Sequence, residues 1–180
     1  MDRHEGQALV DRDAIAADLA ACRSDLHELL ASATPDRLAA RSNGTAWTNE
    51  QLLFHMVFGF LVVRRLLPLV RTVSVLPGRV GRSFAGLLEA GRRPFHWVNY
   101  AGSCAAALVF DHARMGRLCD RTIDHLIRSL AREPEHRLTR GMPFPPSWDP
   151  YFEPHMTLAE VYAYPVLHYR HHRAQLTLSA

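Results

Sequence analysis

Hydrophobic residues recur at three- and four-residue intervals in four segments of the chain, the repeat of a helix that buries one face. The first segment covers about 13–33 and the third about 104–131. The second begins at Thr48 and the fourth at Thr157, where TNEQ and TLAE each form a capping-box sequence. No useful length of chain alternates between apolar and polar residues. The pattern therefore predicts an all-α fold, a bundle of four principal helices.

Two long connections separate these predicted helices. Residues 72–103 are rich in glycine and arginine, and we predict only one short helix there, near 82–90. Residues 141–156 hold five prolines and four aromatic residues before the last helix. Loops of this length often form functional lids or interaction surfaces. No internal repeat or low-complexity tail divides the chain, so we predict a single domain over residues 1–180.

Two prolines fall inside the predicted helical pattern. Pro68 is expected to limit how far the second helix continues. Pro165 should kink the fourth helix, because it removes one backbone hydrogen bond and frees the carbonyl of Val161.

The composition excludes several kinds of catalytic and metal-binding site. The chain is 48% hydrophobic and carries a formal net charge of +3, and all its Lys+Arg residues are arginines. Without lysine, Schiff-base catalysis and lysine-dependent phosphate loops are excluded. The three cysteines are far apart and form no CxxC pair, so neither a zinc ribbon nor a thioredoxin-like motif is predicted.

We expect a cytoplasmic protein with no membrane partner. Unpaired cysteines are typical of a reducing compartment. The two longest apolar stretches, residues 52–70 and 94–110, are interrupted by histidine, arginine or asparagine, and neither is predicted to span a bilayer.

The chemistry of the chain centres on histidine. His168 and His172 stand four positions apart on the fourth predicted helix, about 40° apart around the axis and about 6 Å along it. That spacing lets both imidazoles share one metal ion, at Zn–N distances of roughly 2.0–2.1 Å. They continue the apolar stripe of their helix, whereas His171 points about 100° away and is interpreted as a bystander.

His55 lies on the apolar stripe of the second predicted helix. Taken alone, it is better explained as a hydrogen-bonded core histidine, and the same interpretation is preferred for His112 on the third helix. Two inward-facing histidines on one helix and a third on another make a better case for a metal. Three protein ligands would leave a fourth position open for water or substrate, as in catalytic zinc sites.

Two stretches carry a family resemblance. GTAWTNEQLLFHM, residues 44–56, places a tryptophan and a capped helix before the first histidine. MTLAEVYAYPVLHYRHHRAQL, residues 156–176, carries the pattern HxxxHxxQ. In order, capping and spacing, the chain resembles the DinB-like family of metal-binding four-helix bundles over roughly residues 13–178.

The resemblance implies a function as well as a fold. It implies that His55, His168 and His172 bind a divalent metal such as zinc or nickel. It implies a metal-dependent enzyme, of a family that includes thiol-dependent transferases and isomerases using mycothiol, bacillithiol or glutathione, and whose members are often homodimers. The partners would then be a low-molecular-weight thiol and an electrophilic substrate. Gln175, about one turn beyond His172, either orients one of the metal-binding histidines or closes the end of the bundle by hydrogen bonds.

Other functions remain open on the sequence alone. A non-catalytic metal- or small-ligand-binding bundle, linked to stress or sensing, would use the same three histidines. A di-iron oxidase is disfavoured, since it needs paired ExxH motifs on helices. No nucleic-acid partner is expected, because no helix-turn-helix or aromatic-basic pattern is present. A group of arginines is interpreted either as a site for an anionic thiol or substrate or as a solvated basic face: Arg64, Arg65, Arg71, Arg79, Arg82, Arg92 and Arg93.

Overall fold

The computed structural model describes residues 10–178, which form eight helices and one short hairpin. The elements in chain order are α1 (Arg12–Ser32), α2 (Pro35–Ala39), α3 (Asn49–Val73), α4 (Gly78–Ala90), α5 (Arg92–Val109), α6 (His112–Ala131), α7 (Glu135–Leu138), β1 (Gly141–Pro143), β2 (His155–Thr157) and α8 (Leu158–Arg173).

The long helices α1, α3, α6 and α8 form the bundle. α3 packs on α8 and α6, and α1 packs on α6 and α8, so the four helices enclose one core. Leu52, Met56 and Phe60 on the inner face of α3 have no exposed surface. Burial of these side chains, each worth about 1.5–3 kcal/mol relative to exposure, is the main force that assembles the bundle.

Both predicted capping boxes are formed, and they begin the two helices that carry the three histidines of interest. Thr48 accepts a hydrogen bond from the backbone N–H of Gln51, whose side chain accepts from the N–H of Thr48. Thr157 and Glu160 make the same reciprocal pair at the start of α8. These caps fix the residue at which each helix begins. They therefore also fix the direction around the helix axis in which each later side chain projects.

The prediction of one helix over 104–131 is wrong, because two helices meet inside that range. α5 ends at Val109, and α6 begins after Asp111, whose carboxylate accepts a hydrogen bond from the N–H of Arg114. The hydrophobic pattern continues across this junction and conceals it, whereas the aspartate cap is the local signal that a new helix begins.

The prediction of a mostly irregular 72–103 segment is also wrong. α4 extends from Gly78 to Ala90, well beyond the predicted 82–90, and α5 follows after Gly91. Pro68 does not end its helix either, since α3 continues to Val73. Burial of Val70 and Val73 stabilises the last turn and offsets the hydrogen bond lost at the proline.

The 141–156 connection contains a small antiparallel hairpin that the sequence pattern does not indicate. β1 pairs with β2 through Met142 opposite Met156, and both methionines are buried. Strands of three residues are too short for an alternating pattern to be recognised. The hairpin brings the ends of the 144–154 loop together beside the start of α8.

One helix among the described residues, Asn49–Val73, is long and apolar enough to cross a membrane by length and composition. Of its most apolar stretch, 56% is buried inside the protein. The core helix of a bundle passes the same test, so this feature is weak evidence for a membrane span.

α3 and α8 approach each other closely at Gly59. A methyl group on this glycine would stand 2.6 Å from Nδ1 of His168 and 3.0 Å from its Cε1. No side chain larger than hydrogen therefore fits between the two helices at this point without moving the imidazole.

Gly59→Ala should destabilise the protein, although alanine is ordinarily the better helix former. The gain in helix propensity is about 1 kcal/mol, and forcing a methyl group into a packed contact costs about 1–3 kcal/mol. Gly86→Ala in α4 is the matched control, because a methyl group there meets no atom within 4 Å. It should raise the free energy of unfolding in urea by about 0.5–1 kcal/mol. A stabilised Gly59→Ala variant would contradict the close packing of α3 on α8.

Candidate metal centre

The structure brings His55, His168 and His172 together at the contact between α3 and α8. One ring nitrogen from each lies within 4.8 Å of the others. Nε2 of His55 is 3.1 Å from Nε2 of His172, and the three ring centroids are 4.6–4.9 Å apart. His55 and His168 are 4% and 6% exposed, and His172 is half-buried. The predicted trio therefore forms one cluster; that it binds a metal stays a prediction.

Helix geometry accounts for this arrangement. His168 and His172, one turn apart, project from the same side of α8. His55 faces them because the capping box at Thr48 and the buried residues around it fix how α3 lies on α8. The approach at Gly59 lets the imidazole of His168 lie against the backbone of α3.

Burial keeps all three imidazoles neutral. Desolvation, followed by the neighbouring His172, lowers the pKa of His55 to about 3. Desolvation, together with the other histidines, holds the pKa of His168 well below its usual value, and desolvation also lowers the pKa of His172. Each ring therefore keeps an unprotonated nitrogen at neutral pH, which is the form that coordinates metals.

The cluster has more nitrogen lone pairs than the protein satisfies. The Nε2 atoms of His55 and His172 lie within hydrogen-bond distance, so a single proton between them satisfies both atoms. Nδ1 of His168 is buried and has no hydrogen-bond partner among the described residues. Buried polar atoms are ordinarily paired. A divalent cation would accept a lone pair from each ring, so the donor set fits a metal.

Gln175 orients the third histidine. Its Oε1 lies 2.7 Å from Nδ1 of His172. Because an amide oxygen can only accept, Nδ1 carries the proton and Nε2 keeps its lone pair toward the cluster. Asn49, bonded to Thr177 and to the carbonyl of Arg37, closes this end of the bundle. Of the two roles open to Gln175, the contacts favour orientation.

Trp47 is a site residue that sequence reasoning missed. Its ring stacks on His55 at a centroid distance of 4.4 Å and meets His172 edge-on at 6.2 Å. Its Nε1 is buried and has no hydrogen-bond partner among the described residues. The resemblance includes this tryptophan in the segment before α3, and that position is the signal that could have identified it.

The three histidines lie at one side of a cavity of about 270 Å³. Its walls come from α3, from α5, from the 144–152 part of the loop and from α8. The apolar and aromatic lining residues are Trp47, Phe58, Val62, Val63, Leu66, Phe95, Phe144, Trp148, Pro150, Tyr151, Phe152, Met156, Val161 and Tyr164. A mostly apolar cavity with a few polar groups is the usual form of a small-molecule site.

The proline- and aromatic-rich loop is fastened over this cavity from two sides. Tyr164 of α8 donates a hydrogen bond to Asp149, and Trp148 stacks on Phe95 of α5 at 4.5 Å. The Tyr151 hydroxyl lies 3.2 Å from Nδ1 of His171. His171 thus lies outside the histidine cluster, as predicted, yet it lines the cavity and holds the loop.

Other predicted residues lie elsewhere. His112 is at the rim of α6, with Nε2 3.8 Å from a carboxylate oxygen of Glu50, and is not part of the cluster. None of the seven arginines grouped in the sequence lines the cavity, and its described lining contains no arginine at all. An anionic ligand in this cavity would find no guanidinium, so the interpretation of these arginines as its binding site is not supported.

The cysteines supply no nucleophile at this site. Cys22 and Cys119 are buried, and desolvation raises the pKa of each thiol to about 12. The half-buried Cys104 does not line the cavity. No cysteine therefore supplies a nucleophile to this cavity.

The comparisons agree with this architecture. The family model of the DinB superfamily matches residues 18–176, so the chain belongs to the DinB superfamily. The solved structure of YfiT from Bacillus subtilis, described as a probable metal-dependent hydrolase with an unusual four-helix bundle topology, is similar with a TM-score of 0.67. The two chains are 17% identical over 98% of this chain and 90% of YfiT, a similarity that shows the shared fold. No curated protein matches the sequence.

The double variant His168→Ala, His172→Ala should lose the metal. Protein purified without a histidine tag is expected to contain about one divalent ion per chain by elemental analysis, and the double variant almost none, because one imidazole cannot hold the ion. His125→Ala, His136→Ala removes as many imidazoles, neither of which lines the cavity, and serves as the control. Retention of half or more of the metal in the His168, His172 variant would refute the site.

Gln175→Leu should weaken metal affinity about 10- to 100-fold, since the proton on Nδ1 of His172 loses its acceptor. Gln175→Glu keeps an acceptor and should bind at least as tightly as the wild type. Competition with a chromophoric chelator measures both affinities, and urea unfolding of the metal-free proteins shows whether stability changes. Equal affinities of Gln175→Leu and the wild type would assign Gln175 a purely structural role.

Proposed function

We propose that this protein is a metal-dependent enzyme in which His55, His168 and His172 hold one divalent ion. The ion would activate a water molecule or a low-molecular-weight thiol against an electrophilic substrate in the adjoining cavity. The observation that carries the proposal is the position of three neutral, converging imidazoles at the side of a largely apolar cavity. Three protein ligands leave a coordination position for the nucleophile.

When bound, the ion would supply Lewis acidity, which would lower the pKa of water or of a thiol and so provide a nucleophile at neutral pH. Zinc and nickel are the proposed ions, because imidazole ligands suit both. Substrate binding, orientation and the exclusion of water would depend on the side chains of the protein.

The protein's own residues bind, orient and exclude water. Gln175 sets the ring of His172, and the Trp47 ring stacked on His55 restricts that imidazole. The apolar walls remove bulk water, which strengthens every electrostatic interaction inside the cavity. Asp149, held by Tyr164, is the carboxylate that lines the cavity, where it can accept a proton.

Hydrolysis and thiol transfer would use the same site and differ only in the nucleophile. The description of YfiT as a probable metal-dependent hydrolase supports the first. The family resemblance supports the second, with a mycothiol- or bacillithiol-type cofactor. The arginine-free lining favours ligands whose carboxylates remain outside the cavity.

A panel of reactions tests the proposal. Protein loaded with zinc or nickel is incubated with apolar esters, amides and alkylating electrophiles, each with and without a low-molecular-weight thiol, and initial rates are followed by chromatography. Turnover without thiol identifies a hydrolase, and turnover only with thiol identifies a transferase. Either rate should disappear in the His168→Ala, His172→Ala variant. Metal binding without turnover of any compound would favour a non-catalytic metal- or ligand-binding bundle.

A further inference from the structure

A second concavity, of about 430 Å³, lies far from the histidine cluster. Arg71 of α3 lines it, sixteen residues beyond His55 on the same helix, a distance of about 24 Å along the axis. The lining residues are Arg71, His125, Arg128, Ser129, Arg132, Glu133, Pro134 and Arg137. The two cavities share none of their lining residues.

The base of this concavity is a buried polar network. Glu133 is 6% exposed and accepts hydrogen bonds from Nε of Arg71 at 2.6 Å and from the hydroxyl of the buried Tyr162 at 3.2 Å. Arg71 also donates to Ser129 at 2.6 Å. Oε1 of the single carboxylate in the concavity therefore accepts from both Arg71 and Tyr162, and its charge is paired with that of Arg71.

The other arginines of the concavity carry uncompensated charge. Arg128, Arg132 and Arg137 are exposed, and their side chains make no hydrogen bond or ion pair within residues 10–178. The acidic residues nearest in sequence point elsewhere: Asp124 pairs with Arg23, and Glu135 pairs with Arg12. Four arginines against one carboxylate leave an excess charge of three, equal to the formal net charge of the whole chain, +3.

The pKa of His125 responds to its surroundings in this concavity. Desolvation and then the nearby guanidinium groups of Arg64, Arg128 and Arg71 lower its pKa. A positive field that disfavours a further proton on the imidazole equally favours an anion.

We propose that this concavity binds a small phosphorylated ligand through the guanidinium groups of Arg128, Arg132 and Arg137. Guanidinium groups match phosphate oxygens with two parallel hydrogen bonds each, and several of them around one concavity suit a multiply charged anion. Arg71 is held at the base of the concavity by its contacts to Glu133 and Ser129, and its charge is compensated by that carboxylate. The site is separate from the metal centre and does not depend on the proposed reaction.

Calorimetric titration tests this site on the full chain, with inorganic phosphate, pyrophosphate and glycerol phosphate as probes. Saturable binding of pyrophosphate is expected below about 1 mM at low salt. Arg128→Gln and Arg132→Gln should each weaken it about tenfold. Arg121→Gln is the matched control: it removes the same charge from an exposed position of α6 outside the concavity, and it should change affinity less than twofold.

Two outcomes would overturn the proposal. One is the absence of saturation by any of the three probes; the other is an equal loss in Arg121→Gln, which would indicate non-specific attraction. Tighter binding of glycerol phosphate than of inorganic phosphate would assign the site to a phosphate ester, and the reverse order to free phosphate. A nuclear magnetic resonance titration adds a local readout, because bound pyrophosphate should raise the pKa of His125. An unchanged pKa at saturation would place the anion elsewhere.

Discussion

The desolvation of three imidazoles between α3 and α8 is the constraint on which the rest of this structure depends. A neutral imidazole can be buried there, whereas burial of a charged imidazole without a partner costs too much free energy. The helices must therefore approach closely enough to exclude water, which the glycine at position 59 permits. The same exclusion that lowers the pKa of His55 and His168 gives the rings their readiness to coordinate. The close packing of α3 on α8 thus also produces the neutral imidazoles on which metal binding would depend.

Much of the fold and the cluster could be predicted from the sequence because the relevant signals are local. Capping boxes at Thr48 and Thr157 mark helix starts through residues three positions apart. The spacing of His168 and His172 determines that they share a face. Only the meeting with His55 required a hypothesis about distant parts of the chain, and the structure shows that these three residues do meet.

The walls of the cavity could not be predicted in the same way. The junction at Asp111 is hidden by a hydrophobic pattern that continues through it, and α4 lacks a side-chain cap at its start. The loop contacts of Trp148 with Phe95 and of Tyr151 with His171 join segments far apart in sequence. Such contacts depend on tertiary packing, which hydrophobic periodicity does not encode. For the same reason, the grouped arginines were associated with a site from which the fold separates them.

The contact between His55 and His172 joins residues 117 positions apart. An ion held by both would act as a cross-link that closes most of the chain into a loop. Cross-links of this length remove conformational entropy chiefly from the unfolded state. The carboxyl-terminal helix would then be the element whose fraying and proteolytic release respond most strongly to the ion. Occupancy of the site would set the lifetime of the folded chain as well as its chemistry.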